Sequence, residues 1–158
     1  MQRGEGGDAQ QPPATTDEET PVTIDVLAND TDLDGDLDAT SVTVVVAPAN
    51  GSTSVDPLTG EVTYTPGPDF NGTDTFTYQV CDTTPIPLGP LCSTATVDVT
   101  VNSVNDGPDA VDDSDTVDED SSVTVDVLGN DTDIDDGLDP VSVTVTSGPS
   151  NGSTSVNP

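Results

Sequence analysis

The chain has 158 residues and sets 31 acidic side chains against a single base, Arg3, for a formal net charge of −30 at neutral pH. That charge excludes nucleic acid and anionic membrane surfaces as partners. With no Lys, no His and no nucleophile beside a base, the composition also excludes most catalytic chemistry, and Lys–Asn isopeptide crosslinks with it.

Only 3% of the residues are aromatic and 30% are hydrophobic, which by composition alone points to disorder. The order of the apolar residues points the other way. Residues 1–5 read as a leader or linker. A first edge strand is expected near Asp8 to Thr16, and a second from Val22 to Leu27, where Val22, Ile24 and Val26 alternate with Thr23 and Asp25. Such period-two alternation of β-branched residues marks half-buried strands. An acidic loop follows from Asn29 to Asp38. Turn signals come next at Asn50-Gly51, Thr59-Gly60, Pro66-Gly67 and Asn71-Gly72, and the last strand carries Val97, Val99 and Val101 in alternation. No stretch of ten residues has helical periodicity. The expected fold is all-β, an antiparallel sandwich of about seven strands. Tyr64, Phe70, Phe76 and Tyr78 fall at its core positions, which leaves no aromatic surface for sugar stacking and disfavours a lectin-like module.

From residue 107 the chain repeats itself. Residues 107–158 align with residues 6–57 at a constant offset of 101 without a gap, and 30 of these 52 positions are identical. A period of this size is a small domain rather than a solenoid coil. The organisation is therefore a complete repeat over residues 6–106 and the N-terminal half of a second over residues 107–158. The second lacks counterparts of the runs EVTYTP, GTDTFTYQV and STATVDVTV, so half a core must offset the chain entropy of ordering it. Either these residues are an excerpt of a longer protein or strands from elsewhere complete them.

Cys81 and Cys92 flank a proline-rich loop between two expected strands. Cysteines closing a loop of this length imply a disulfide and an oxidising, extracytoplasmic setting, with two reduced strand-end thiols as the alternative. No apolar segment is long enough for a signal peptide or a membrane span, so a secretion signal and any anchor are expected outside these residues. The N-x-S/T triplets, at Asn29, Asn50, Asn71, Asn130 and Asn151, read as turn residues of the repeat rather than glycosylation sites.

The acids are 26 Asp to 5 Glu, a bias toward the short carboxylate of oxygen-rich turn loops. A salt-adapted surface is the competing explanation. Asp30, Asp32 and Asp34 with Gly35 reproduce the D-x-D-x-D-G opening of a calcium loop, but the twelfth position is Ser41, which rules out a complete EF-hand. The second repeat keeps the alternate carboxylates as Asp131, Asp133 and Asp135 while its glycine moves to Gly137. This pattern predicts Ca²⁺ ligands completed from elsewhere in the fold. The strand order places the acidic loop at the upper pole of each sandwich, and Glu18 and Glu19 at the lower pole, where the chain leaves through Asn102 to Asp106. Carboxylates of two repeats are thus expected to converge on one junction.

The series VTIDVLANDTDLDGD, GEVTYTPGPDFNGTDTFTYQVCD and TATVDVTVNSVNDGPDA resembles the cadherin-like, Ig-like tandem repeats of very large secreted bacterial adhesins. The resemblance implies β-sandwiches whose junctions are rigidified by Ca²⁺. Asn102 to Pro108 approximates the cadherin linker D-x-N-D-N-x-P, with Asn102 for an Asp and Val104 for an Asn. Carried over position by position, it implies junction ligands Glu18, Asn105, Asp106, Asp131, Asp133 and Asp135. The expected function is a non-catalytic stalk module at the cell surface or in an extracellular matrix, partnered by neighbouring repeats, by copies of itself or by a surface target. The alternative is a subunit of a self-assembling filament whose second repeat is completed by a neighbouring chain.

Overall fold

The computed structural model describes residues 13–32, 35, 37–83 and 89–157. The chain divides into two compact units that part between Val104 and Asn105. The boundary falls two residues earlier than the repeat alignment places it. The reason is local: the Val104 N–H is held by the Glu18 carboxylate, whereas the Asp106 N–H donates to Asp135.

The first unit is a seven-stranded sandwich. One sheet has the order β1-β7-β6-β3, from Ala14–Asp17, Cys92–Asn102, Gly72–Asp82 and Leu37–Val46; the other is β2-β5-β4, from Val22–Ile24, Val62–Pro66 and Gly51–Val55. All pairs are antiparallel except β1 with β7, which run parallel with Ala14 opposite Val99. This two-sheet arrangement is an immunoglobulin-like fold. The core is the inward phase of the alternating strands: Val97, Val99 and Val101 of β7, Phe76, Tyr78 and Val80 of β6 and Val42 of β3 line the inner side of one sheet, and Val62 and Tyr64 of β5 that of the other. Phe70 packs against this cluster from a half-buried position, while Tyr64, Tyr78 and Phe76 are fully buried.

The described part of the first strand begins inside the expected range and runs one residue past it, to Asp17. The second strand stops at Ile24, three residues short of the expected Leu27. Asp25 ends it: its carboxylate accepts from the Leu27 N–H at 3.3 Å and its carbonyl from the Ala28 N–H at 3.3 Å, which turns the chain. Val26 still enters the core from this turn and is fully buried. Gly51 opens β4 because a Cβ there would stand 2.6 Å from the Thr65 carbonyl oxygen and 2.7 Å from the Tyr64 ring.

Strands β1 to β4 make no ladder with one another; each pairs only with β5, β6 or β7. The described residues of the second unit are counterparts of β1 to β4 alone. They accordingly contain no strand, only an isolated bridge between Asp109 and Thr132 and a single 3-10 turn at Pro140–Ser142. Val123, Val125 and Val127, whose counterparts line the first core, are 43%, 39% and 42% exposed.

Candidate functional site

The registers fix the two poles of the first sandwich. β1 and β7 end together, β6 begins beside the end of β7, and β4 begins beside the end of β5, so residues 18–21, 47–50, 67–71 and 102–104 share one pole. The acidic loop after β2, the β4–β5 turn and the Cys81–Cys92 disulfide occupy the other. Cys81 and Cys92 are directly opposite in the β6–β7 ladder, so the disulfide closes the proline-rich loop at its base.

In the acidic loop of the first repeat, the turn through Asp25 and a hydrogen bond from the Asp30 N–H to the Leu27 carbonyl carry Asp30 back toward the core. The Tyr78 hydroxyl lies 2.7 Å from Asp30 Oδ2 and 2.7 Å from the Val26 carbonyl oxygen, and its proton serves one or the other. Asp30 Oδ1 is buried and has no hydrogen-bond partner. Burial pushes the Asp30 carboxyl pKa up, and the Tyr78 hydrogen bond only partly opposes it. A buried acceptor left unmatched costs about 1–3 kcal/mol, which a cation bound at that oxygen would offset. Asp32 Oδ1 accepts from the Gly35 N–H at 3.0 Å, and Asp34 lies outside the described residues. Ser41, the position that spoils the EF-hand pattern, is occupied structurally: its Oγ accepts from the Cys81 N–H at 2.8 Å and donates to the Asp38 carbonyl.

The second acidic loop is built differently. Asp131 Oδ1 accepts from the Val111 N–H at 2.7 Å, and Asp135 Oδ2 from the Asp106 N–H at 2.6 Å. Reciprocal bonds between Asp109 and Thr132 complete the match, so residues 106–111 run along residues 131–135. Asp133 Oδ1 gathers the N–H groups of Asp135, Asp136 and Gly137 at 3.1, 3.2 and 3.3 Å. The N–H groups of Asp136 and Asp135, aided by that of Gly137, hold the Asp133 carboxyl below the usual carboxylate range against a small opposing effect of burial. The Asn105 side-chain amide donates to the Asp106 carbonyl at 2.8 Å. Five of the predicted ligands, Asn105, Asp106, Asp131, Asp133 and Asp135, thus belong to one unit and to two adjoining segments of it. Their donors are all oxygen, the set a hard divalent cation such as Ca²⁺ takes.

Glu18, the sixth, belongs to the first unit and is 4% exposed. Its N–H donates to the Asn102 carbonyl at 3.0 Å and its carboxylate accepts from the Val104 N–H, so it fastens the exit of β7 to the end of β1. Beside it in sequence, Glu19 adopts φ 59° and Asp69 in the β5–β6 turn adopts φ 54°. These two exposed residues bring a carboxylate oxygen each within 4.8 Å.

Sequence reasoning passed over Asp74, which is 4% exposed at the start of the core-facing row of β6. Its carboxylate accepts from the N–H groups of Ala49, Asn50 and Thr75 at 3.0, 2.8 and 2.9 Å and from the Tyr64 hydroxyl at 3.1 Å. Burial alone would raise its pKa; those donors outweigh it and hold the carboxyl below the ordinary range. The same pair pushes the Tyr64 hydroxyl up to about 12, through burial first and the Asp74 hydrogen bond and charge second. The signal was present: Asp74 sits in the inward phase with Phe76, Tyr78 and Val80, where a solvated acid has no place.

The sequence profile of the family described as Bacterial Ig domain matches residues 8–100 and, a second time, residues 105–158. The chain belongs to the bacterial Ig domain family. Comparison with curated proteins gave no match. The two matched segments follow the internal repeat. A bacterial Ig domain is typically non-catalytic, in keeping with a site made of carboxylates around turns rather than of a nucleophile and a base. Among the described residues no helix is long and apolar enough to cross a membrane.

Proposed function

We propose that this pair of bacterial Ig domains is a segment of an extracellular stalk, stiffened by Ca²⁺ held in its acidic loops. Asp30 carries the reading: a carboxylate with one buried, unmatched oxygen, set in a loop of further carboxylates, is a group in need of a cation. Asp32 and Asp34 share that loop in the first repeat. In the second, Asp131, Asp133 and Asp135, with Asn105 and Asp106 alongside, supply the ligands. Closely grouped carboxylates repel one another until a cation neutralises them, so calcium converts a charged hinge into a fixed one. The disulfide and the family's common occurrence outside cells support an extracellular or cell-surface place. Neighbouring repeats, further copies and a surface or matrix target are its partners.

Thermal or denaturant unfolding in millimolar calcium and in chelator, at matched ionic strength, tests the proposal. Binding to the folded state alone at a hundredfold excess over Kd adds about 2.7 kcal/mol. Superimposable curves sink it, and stabilisation by molar NaCl equal to that by millimolar calcium replaces it with salt adaptation. A second reading, the filament subunit, is favoured by the exposed Val123, Val125 and Val127 row. Light scattering with calcium and with chelator separates the two, since only the filament grows with calcium.

A further inference from the structure

We propose that the first sandwich pairs with a second copy of itself along the free edge of β4, about a two-fold axis through Thr53. β4 then meets β4 antiparallel, and the two three-stranded sheets join into one. Each sheet of the sandwich ends in two edge strands, with β1 and β2 together on one side of the molecule and β3 and β4 together on the other.

The two sides differ in charge. The β1–β2 side runs through Asp17, Glu18, Glu19 and Asp25, whereas from Ala39 to Val55, through the whole of β4 and most of β3, no residue is charged. Sheets protect their edges with charge, proline or a bulge, because an open row of N–H and C=O groups is a template for another strand. β3 has such protection: its register on β6 slips twice, between Asp38 and Thr43 and between Val44 and Val46. β4 has none. It keeps one unbroken register on β5, from Gly51 opposite Pro66 to Val55 opposite Val62, and among the described residues it ladders with nothing else.

Charge selects the kind of partner. A cationic partner gains most from the acidic remainder of the surface, and an edge stripped of charge offers it nothing. In a chain of net charge −30, a neutral edge serves a partner that is itself acidic, because there two polyanions touch without setting carboxylate against carboxylate. The sequence of β4 narrows that partner to another copy. Ser52-Thr53-Ser54 reads the same in both directions, so an antiparallel pair centred on Thr53 sets Ser52 opposite Ser54 twice and Thr53 opposite Thr53. Hydroxyl residues directly opposite one another form a favourable cross-strand pair, and a two-fold interface requires a patch that matches itself.

Apolar surface adjoins this edge. Residues 47–50 bring the end of β3 beside the start of β4, and Val45 and Val46 are exposed there. Burial within the sandwich does not explain them, and the second repeat carries Thr146 and Ser147 at the corresponding positions. One strand pair flanked by two valines is smaller than the interface of a standard stable complex. The contact is therefore weak between free chains and cumulative where copies lie side by side.

Sedimentation equilibrium of the full chain in chelator, at up to about 1 mM protein, tests this apart from any effect of calcium. The mass should rise with concentration toward that of a dimer, and rise further in NaCl, which screens the repulsion between the two bodies. Ser52→Asp with Ser54→Asp, both at exposed positions, sets acid opposite acid across the axis. That variant should stay monomeric while its urea midpoint at low concentration matches wild type. A wild type that is monomeric over the whole range overturns the proposal, as does a dimer that the double variant forms equally well. Crosslinking reads the register. Both natural cysteines are held in the Cys81–Cys92 disulfide, itself between directly opposite residues of a ladder, so an added cysteine is the sole free thiol. Ser52→Cys and Ser54→Cys chains mixed under mild oxidation should give the mixed dimer well above its random share. A mixed dimer at or below that share also overturns the proposal.

Discussion

At the scale of single residues, two buried carboxylates divide the work. Asp74 accepts from several donors, and it ties the turn before β4 to the buried Tyr64 through Ala49 and Asn50. Asp74→Asn keeps the shape but loses the charge and sets an amide against N–H groups, so it should cost about 2–3 kcal/mol in urea unfolding. The pH dependence has a definite sign. With its folded pKa below the unfolded value of about 3.9, Asp74 contributes its full stabilisation above that pH and loses it as pH falls through the folded pKa. Acid titration of stability should therefore be shallower in Asp74→Asn than in wild type. Asp30 is the opposite case, desolvated and left with an unmatched oxygen. In chelator, Asp30→Asn should leave the first repeat as stable as wild type or more so; in calcium it should forfeit the gain that wild type shows. Calorimetric or urea stability measured in both buffers decides it, and an equal calcium response in the variant removes Asp30 from the ligand set.

At the scale of elements, alternation was a good guide wherever both sides of a strand have fixed neighbours, as in β6 and β7. It was a poor guide to where strands end. Val26 continues the inward phase of β2, yet the strand has already stopped, because the carboxylate of Asp25 offers the next N–H groups an alternative to the ladder. Asp74 escaped notice for a related reason: in a chain with 26 Asp, an acid in the core phase looks like one more surface residue until its donors are known. The alternate carboxylates of the two acidic loops were legible as spacing, but the asymmetry between the loops was not. In the first repeat Tyr78 supports the loop from β6; in the second, residues 106–111 do so. The β6–β7 hairpin depends on its disulfide, which closes a loop of separation 11. Cys81→Ser with Cys92→Ser should lower the stability of the first repeat by about 3 kcal/mol, and reduction of the wild type should reproduce the shift in its denaturation midpoint.

At the scale of the whole chain, the two units differ sharply in what holds them. The first has a closed two-sheet core, and the second has turns in the right places with its apolar row open to solvent. Hydrogen exchange should separate them: amides of β6 and β7 protected to the level of global unfolding, and those from Val123 to Leu128 exchanging near the rate of an open chain. The parallel pairing of β1 with β7 has a mechanical consequence. β1 is the first strand and β7 the last, and both point to the same pole, so tension along the chain draws them in opposite directions along their common axis. Their hydrogen bonds are then loaded together in shear and must fail together, unlike a hairpin that unzips one bond at a time. The Glu18 grip on the N–H of Val104 and the Asn102 amide bond to Asp17 sit at the trailing end of that pair as its last fasteners. Glu18→Ala, which breaks one of them, should lower the unfolding force in single-molecule pulling by a larger fraction than it lowers stability in urea.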